Sequence, residues 1–213
     1  EEPISYIIGT GEKKKKKDYK YLIYEACEYQ DHFLAYHPDI LVINNIELDH
    51  PDYFNSISDI YNSFINLSKQ SKKVVINIDE KITKDEHFIC YGNDKSEYVY
   101  RIVEESPNGY IVEINGKKFM LPFFGKHMIN NFLSAYVVLK TIGYTDEFIE
   151  ERIGFIKLPK RRMEEEKIGK QIVIQDYAHH PTAIKSLYDS ISQKYPNIPI
   201  TVFFQPHTYS RTL

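Results

Sequence analysis

The sequence predicts an α/β fold, with a parallel sheet that has helices on both faces, an added antiparallel ribbon, and the start of a second α/β domain. Three apolar runs, at residues 19–26, 40–43 and 73–79, alternate with segments of crossover length, which is the order of a parallel sheet. Two later Asn-Gly pairs mark tight turns between short strands. A new strand–helix–strand pattern follows a break in the chain and predicts the second domain.

The first crossover occupies residues 27–38, which is about the shortest connection between two parallel strands. An amphipathic helix follows at residues 56–71, where Ile60 and Phe64 recur on one side at helical spacing. The five lysines at residues 13–17 predict a solvated loop, because like charges repel one another and resist packing. They lack the glycine spacing of a phosphate-binding P-loop.

Short strands then replace the long runs. They are predicted at residues 87–90, 98–103, 110–114 and 118–121. The pairs Asn108-Gly109 and Asn115-Gly116 lie at turns, and Asn-Gly is the strongest short signal for a hairpin. We therefore expect an antiparallel ribbon attached to the parallel sheet.

Two helices, at residues 125–143 and 145–157, precede a basic break at residues 158–162, where we place a domain boundary. The first domain is expected to span residues 1–158 and the second residues 159–213. In the second domain we expect a strand at residues 171–175, a helix at 181–195 and a strand at 200–204. The helix would begin on a proline, which is favoured at the first helical position.

Length and composition exclude several classes of protein. The 213 residues, of which 42% are apolar and 27% charged, are typical of a globular protein, and a net charge of -3 gives no general case for nucleic-acid binding. No apolar run approaches the roughly 18 residues of a membrane span. The two cysteines form neither a metal-ligand pair nor a disulfide framework, so we expect a cytoplasmic protein without a membrane partner.

The first candidate site lies where the second apolar run ends in Asn45, Glu47, Asp49 and His50. Ligands of open α/β sheets bind just outside the carboxyl ends of the strands. Glu25 ends the preceding strand, and if the two strands are neighbours, Glu25 and His50 reach one crevice. A carboxylate and an imidazole could bind a divalent metal: magnesium prefers oxygen ligands and zinc accepts histidine more readily. A hydrogen bond between the two side chains is the alternative.

The second candidate site is the helix that begins at residue 125. Asn131 shares one face of this helix with apolar residues. They are Met128, Ala135 and Val138. A buried amide needs a partner, either a backbone group or a ligand. Lys126 and His127 occupy the first turn, where the helix dipole disfavours cations, so an anion docked nearby would explain them.

The third candidate site is a rim of two loops that each follow a strand of the second domain. Asp176, His179 and His180 lie in the first loop, and His207 and Arg211 in the second. Surface loops rarely collect three histidines, an aspartate and an arginine, so this set favours a functional site. Adjacent histidines on an extended backbone point in opposite directions, so we expect only one of His179 and His180 to face the site.

These segments, in this order, resemble the Mur ligase family over nearly the whole chain. The matching residues are Glu25-Ala26-Cys27-Glu28-Tyr29, Asn45-Ile46-Glu47-Leu48-Asp49-His50, Gly125-Lys126-His127 with Asn131, Arg161-Arg162, Asp176-Tyr177-Ala178-His179-His180-Pro181-Thr182, and Phe204-Gln205-Pro206-His207 with Tyr209-Ser210-Arg211. The last two segments are the specific ones. The members that add a diamino acid carry His-Thr-Pro where this chain has His179-His180-Pro181, so the likeness is greatest to members that add L-alanine.

The resemblance implies a three-domain enzyme that uses ATP and Mg²⁺ to join L-alanine to UDP-N-acetylmuramate through an acyl phosphate, in peptidoglycan precursor synthesis. It implies a Rossmann-like second domain here. The implied metal ligands are Glu25 and His50. The implied ATP contacts are Lys126, His127, Asn131, Arg162 and Asp176, and the implied substrate contacts are His179, His180, His207 and Arg211. Among all of these, His50, Arg162 and Asp176 are implied to be catalytic.

The chain also departs from the family pattern. The family's P-loop would lie just before Glu1, so we expect an incomplete piece of a ligase that is inactive alone. Met128 stands where some relatives have asparagine, and Thr208 where many have arginine. The alternatives are a nucleotide-binding module without catalysis, a Mur-type ligase with another substrate, a structural α/β protein and a zinc hydrolase.

Overall fold

The computed structural model describes residues 4–9 and 11–205. Its strands are β1 (Ile4–Ile7), β2 (Lys13–Lys14), β3 (Tyr21–Tyr24), β4 (Ile40–Ile43), β5 (Lys73–Asn77), β6 (Phe88–Gly92), β7 (Tyr98–Ser106), β8 (Gly109–Ile114), β9 (Lys117–Leu121), β10 (Glu164–Ile168) and β11 (Gln171–Gln175). Its α-helices are α1 (Ile57–Lys69), α2 (Lys126–Thr141), α3 (Asp146–Ile153) and α4 (Pro181–Lys194). A kinked helical segment, Tyr29–Ala35, connects β3 to β4. No α-helix within these residues is long and apolar enough to cross a membrane.

The main sheet has the strand order β4-β5-β6-β7-β8-β9. Its first four strands are parallel to one another, and β7, β8 and β9 are antiparallel. The predicted parallel sheet with an antiparallel ribbon is therefore confirmed. The assignment of β6 to the ribbon was wrong, because β6 pairs in parallel with β5 through Val74 and Phe88. The connection between these two strands contains no helix, and its Ile82 is buried in the core.

Helices cover both faces of the main sheet, and β5 shows why. Val74 and Ile76 point to one face and pack in the same cluster as Ile60 of α1, whereas Val75 points to the other face and packs in the same cluster as Leu133 of α2. All five side chains are at most 1% exposed. A strand buried on both faces needs a continuous apolar sequence, which is the pattern that predicted it.

The Asn-Gly turns behave as the sequence predicted. Asn115 and Gly116 have φ angles of 48° and 89°, as a tight hairpin turn requires, and the Asn115 side chain accepts a hydrogen bond from the Val99 amide at 2.9 Å. At Gly109 a Cβ atom would lie 2.1 Å from the carbonyl oxygen of Leu121. Only glycine therefore allows β8 and β9 to approach each other at this point.

The first three strands form a separate sheet of order β2-β1-β3, in which β3 is parallel to β1. The strand that ends before Glu25 is thus paired with β1 and not with β4, so the two strands considered as neighbours in the sequence are not hydrogen-bonded to each other. The lysine run is not wholly a loop, because Lys13 and Lys14 form β2. Both lysines are exposed, so the expected solvation of the run holds for them.

The segment after residue 158 contains an antiparallel hairpin of β10 and β11, followed by α4. The strand β11 and the helix α4 were predicted; β10 was missed because three consecutive glutamates do not look like a strand. The strand expected at residues 200–204 was wrong: these residues are irregular, and Phe203 is 95% exposed. This run pairs with no strand of the described residues. A domain boundary at residue 158 stays a prediction.

Candidate functional site

The loop after β4 turns sharply at His50. Buried Ile46 anchors the loop to the core, and Asn45 Nδ2 donates a hydrogen bond to Glu47 Oε1 at 3.3 Å. His50 has a φ angle of 55°, a left-handed conformation that few residues other than glycine adopt. Its amide donates to Asp49 Oδ1 at 2.7 Å. This turn brings the imidazole to the segment that follows β3.

A cluster of Glu28, Asp49 and His50 forms at this turn. His50 Nε2 lies 3.3 Å from Glu28 Oε1, and one ligand atom from each of the three residues lies within 4.8 Å of the others. The ring of Tyr29 lies 4.7 Å from the His50 ring, and its hydroxyl donates to Asp52 Oδ2 at 2.7 Å. Two carboxylates and an imidazole suit a divalent metal, and their partial exposure leaves room for water or phosphate oxygens to complete its shell.

Glu25, the carboxylate that the sequence pairs with His50, has a different contact. Its Oε2 accepts a hydrogen bond from the Gly9 amide at 2.7 Å. A Cβ atom on Gly9 would lie 2.9 Å from Glu25 Oε1, so a glycine lets this carboxylate approach the backbone. Glu25 is not a member of the three-residue cluster, which contains Glu28 from the same motif. The role of Glu25 as a metal ligand stays a prediction, and Glu28 becomes a second candidate that the sequence reasoning missed.

The first turn of α2 holds Lys126 and His127. Although His127 is an exposed residue as a whole, it lines a cavity of about 270 Å³ together with residues of β7, β8 and α4, and part of its side chain is shielded from water. This burial lowers the pKa of His127 from its ordinary value of 6.5; the charge of Asp176 raises the pKa again, and that of Arg162 lowers it. His127 therefore shares one electrostatic environment with two residues of the segment after residue 158.

Asn131 does not lie on the buried face of α2, so the expectation of a buried amide was wrong. It is exposed, and its Nδ2 lies 3.7 Å from the sulfur of Met128. The buried face of the helix is formed instead by residues such as Ile129 and Leu133. The neighbouring Asn130 has a buried Oδ1 that finds no hydrogen-bond partner within the described part of the chain. Of the apolar residues that suggested the wrong face, Met128 and Val138 are half-buried at the margin of the buried face, and Ala135 is exposed.

Asp176 joins two loops. Its Oδ2 accepts a hydrogen bond from the Met163 amide at 2.9 Å, and its Oδ1 accepts one from the Ala178 amide at 2.7 Å. Arg161 and Met163 both have positive φ angles, of 57° and 48°, and Arg162 lies between them. The carboxylate thus fixes the arginine turn and the histidine loop as one unit.

The two adjacent histidines face different partners, as expected from the extended backbone. His179 Nδ1 is 3.0 Å from the Tyr177 carbonyl oxygen. His180 Nδ1 is 3.1 Å from Glu47 Oε2 and 3.4 Å from the Thr182 amide. One nitrogen cannot donate to the carboxylate and accept from the amide at once, and the shorter contact, to a charged acceptor, favours a proton on Nδ1 that points to Glu47. His180 is therefore the histidine that reaches the loop after β4.

These contacts link candidate residues before residue 158 to candidate residues after it. The loop with the His50 cluster touches His180 through Glu47, and His127 interacts with Arg162 and Asp176. The predicted substrate contacts His207 and Arg211 lie outside the described residues.

Comparison with known proteins identifies the family. The family model for the Mur ligase middle domain matches residues 9–139. The chain belongs to the Mur ligase family. The matched span contains the Glu28, Asp49 and His50 cluster and the first turn of α2, and it ends before Arg162 and Asp176.

The alignments with related proteins extend over nearly the whole chain, beyond residues 9–139. The chain is 36% identical over 220 aligned positions to the UDP-N-acetylmuramate–L-alanine ligase of Streptococcus equi subsp. zooepidemicus (strain MGCS10565), with 98% of this chain and 50% of the relative covered. The ligase of the same name from Streptococcus equi subsp. equi (strain 4047) gives the same identity and coverage. The chain thus spans about half the length of the curated relatives it matches.

Solved structures confirm the Mur ligase fold. The UDP-N-acetylmuramate-alanine ligase MurC from Thermotoga maritima has a TM-score of 0.78 and 23% identity, over 92% of this chain and 49% of that chain. MurF from Acinetobacter baumannii has a TM-score of 0.73 and 16% identity, over 84% of this chain and 44% of that chain. At these identities the likeness establishes the fold alone.

Proposed function

We propose that the protein containing this chain is an ATP-dependent carboxylate–amine ligase that joins L-alanine to UDP-N-acetylmuramate. The 36% identity to ligases of that name, over 98% of this chain, supports the choice of substrates. The structural observation that carries the proposal is the contact of 3.1 Å between His180 and Glu47. It joins the loop with the acidic and imidazole groups to the loop that holds Asp176, so the groups proposed to act on ATP and on the carboxylate substrate can belong to one site.

The proposed reaction has two steps. In the first, the γ-phosphoryl group of ATP moves to a carboxylate oxygen, which gives ADP and an acyl phosphate. In the second, the amino nitrogen of L-alanine attacks the acyl carbon, the C–O bond to phosphate breaks, and the nitrogen loses a proton. Transfer of a phosphoryl group depends mainly on positioning and on neutralising the charge of its oxygens, so cationic groups at the site are the relevant ones.

Lys126 and Arg162 supply this charge in the proposal, whereas His127, whose pKa is lowered by burial, offers the nucleotide a neutral imidazole. Arg162 is exposed in a turn whose position is fixed by Asp176. Asp176 accepts two backbone hydrogen bonds, so its proposed role is to position the arginine turn and the histidine loop for the nucleotide. Asn131 is exposed on α2, where it remains available as an ATP contact.

Glu28, Asp49 and His50, together with the predicted ligand Glu25, are the residues that would hold Mg²⁺. The donor set fits this ion imperfectly but sufficiently: carboxylate oxygens are its preferred protein ligands, and one imidazole is tolerable where waters and phosphate oxygens complete the shell. When bound, the ion would neutralise phosphate charge and orient the transferred group. His50, which the left-handed turn directs at Glu28, is the residue on which this part of the proposal depends.

The substrate side of the proposed site comprises His179, His180, His207 and Arg211. An arginine suits a carboxylate because its guanidinium forms a bidentate pair. We place the reaction in the cytoplasm as a step of peptidoglycan precursor synthesis; the free thiols of Cys27 and Cys90 are consistent with a reducing compartment.

The test is phosphate release by the whole protein with ATP, Mg²⁺ and UDP-N-acetylmuramate, with and without L-alanine. We expect release only when both substrates are present. It should fall by about 100-fold or more in His50→Ala, because loss of even an outer-shell partner of a metal ligand costs about 10–100-fold. His37→Ala removes an exposed histidine elsewhere and is the matched control. Glycine, L-serine, D-glutamate and diaminopimelate test other amines, and a preference for one of them would replace L-alanine in the proposal. A folded wild-type protein that hydrolyses no ATP with any of them refutes the ligase.

A further inference from the structure

The side-chain amide of Gln193, near the end of α4, hydrogen-bonds to three backbone groups that precede residue 158, and it also contacts the Tyr110 side chain. Its Oε1 accepts a hydrogen bond from the Gly125 amide at 2.9 Å. Its Nε2 donates to the carbonyl oxygen of Ser106 at 3.1 Å and, more weakly, to that of Gly109 at 3.5 Å. One glutamine thus connects α4 both to the start of α2 and to the β7–β8 turn.

The packing around this amide is close. Ser190, one turn earlier in α4, has no exposed surface, and a Cβ atom on Gly125 would lie 2.0 Å from its Oγ. Gly125 also has a φ of 82°, so glycine is required here both for the backbone and for the approach of α4. The ammonium group of Lys194 lies 5.0 Å from the centre of the Phe124 ring. The end of α4 therefore docks specifically at the entry to α2.

The end of α4 also contacts the hairpin of β10 and β11. Lys194 forms an ion pair with Glu165 of β10, and the Tyr195 hydroxyl donates to the same carboxylate at 3.0 Å. The hairpin of β10 and β11 leads directly into Asp176. At the other end of α4, His180 meets Glu47. Both ends of α4 thus contact residues that precede residue 158.

We propose that Gln193 is a positioning residue that docks α4 against the entry to α2 and so holds Arg162 and Asp176 opposite Lys126 and His127. The proposal deepens the proposed function and rests on it for the identity of the ligand, ATP. Interfaces between domains of one chain are usually small and polar, and relative motion is the default. A side chain of α4 that satisfies backbone groups of Ser106, Gly109 and Gly125 across the interface shifts the balance to the docked arrangement. ATP that needs this arrangement binds with an apparent affinity set by its population.

The experiment compares Gln193→Met and Gln193→Ala in the whole protein. Methionine keeps the length and volume of the side chain but removes both polar atoms. We expect hydrogen exchange of the peptide spanning residues 119–127 to become about tenfold faster in both variants without nucleotide. The reason is that loss of a neutral hydrogen bond raises the population of the open state by about a factor of ten. Exchange in β5 should not change. The KM for ATP should rise while kcat at saturating ATP is retained. Gln171→Ala, an exposed glutamine at the start of β11, is the matched control.

Wild-type exchange rates in Gln193→Met would overturn the proposal, since they would show that only the volume of the side chain matters. A fall in kcat with an unchanged KM would also overturn it, because that result would assign Gln193 to the chemical step. Faster exchange in a protein whose wild type shows no L-alanine-dependent phosphate release would support the docking role and refute the proposed function instead, because the exchange measurement uses no substrate.

Discussion

Substitution of Asp176 by asparagine tests whether one carboxylate holds the arginine turn and the histidine loop together. The two oxygens of Asp176 accept hydrogen bonds from the Met163 and Ala178 amides at 2.9 and 2.7 Å. Asparagine keeps one acceptor oxygen and presents an NH₂ group to the other amide. The variant therefore removes one hydrogen bond and places two donors face to face, with almost no change in volume.

The magnitude follows from the kind of bond that is lost. A hydrogen bond to a charged group contributes about 1.5–3 kcal/mol, and the half-buried position of Asp176 favours the lower end of this range. We therefore expect local destabilisation of about 1.5 kcal/mol, which corresponds to about a tenfold increase in the population of the open loop. Core elements such as β5 do not contact the carboxylate and should keep their protection.

Hydrogen exchange at the Met163 and Ala178 amides measures this effect directly. One of the two amides, the one that faces the new NH₂ group, should exchange about tenfold faster. Asp94→Asn, at an exposed position in the β6–β7 loop, is the matched control. Unchanged exchange at both amides would refute the reasoning, and so would faster exchange throughout the sheet, because global unfolding would then explain the result.

Three further predictions concern the metal cluster, the nucleotide side and the core. Glu28→Gln should weaken Mn²⁺ binding, measured by water proton relaxation, at least as strongly as Glu25→Gln; a loss confined to Glu25→Gln would return the ligand role to Glu25 alone. The pKa of His127, measured by NMR titration, should lie below 6.5 and rise in Arg162→Gln, because the Arg162 cation lowers it. Any contribution of His127 to the free energy of unfolding is complete above pH 6.5. It is lost as the pH falls below 6.5, because the unfolded state then binds the proton before the folded state does. Tyr136→Phe should lower the free energy of unfolding by about 1.5–3 kcal/mol in a denaturant titration, because the buried hydroxyl donates to a carboxylate of α3 at 2.8 Å; a loss below about 0.5 kcal/mol would contradict the assigned bond.

The sequence predicts well those features that a local pattern determines. The continuous apolar run at β5 required burial on both faces, and the structure buries it between α1 and α2. The similar run at β4 is buried less completely, because Val42 is 39% exposed. The pair Asn115-Gly116 needs positive φ angles and has them. The helix starts are of the same kind: Ser56 accepts a hydrogen bond from the Asp59 amide at 3.2 Å, as a helix cap does.

Features that depend on distant partners could not be read from the sequence. The pairing of β3 with β1 joins residues that no local pattern connects, and it separates the strand before Glu25 from β4. The strand β10 consists of four charged residues and one isoleucine, all exposed, and it exists only because β11 pairs with it. At α2 the sequence argument placed the apolar face at a slightly wrong angle. It therefore predicted that Asn131 is buried, whereas Asn131 is exposed and the neighbouring Asn130 is half-buried.

The same limit explains why Glu28 was missed beside His50. The sequence argument required two neighbouring strands whose ends meet, whereas the structure reaches the cluster through two backbone turns. Gln30 and Asp31 have φ angles of 54° and 57°, and His50 has one of 55°. Such conformations cost about 1–3 kcal/mol each and persist only where surrounding contacts impose them.

Those surrounding contacts connect the two turns directly. The Tyr53 hydroxyl donates to Asp31 Oδ2 at 2.7 Å, and Ser63 of α1 donates to the other oxygen of that carboxylate. The Tyr29 hydroxyl donates to Asp52, and the Tyr29 ring lies against His50. The fold therefore uses tyrosine–carboxylate bonds to hold two strained turns face to face. The proposed metal site, which needs an imidazole and a carboxylate within reach of one ion, would account for both turns.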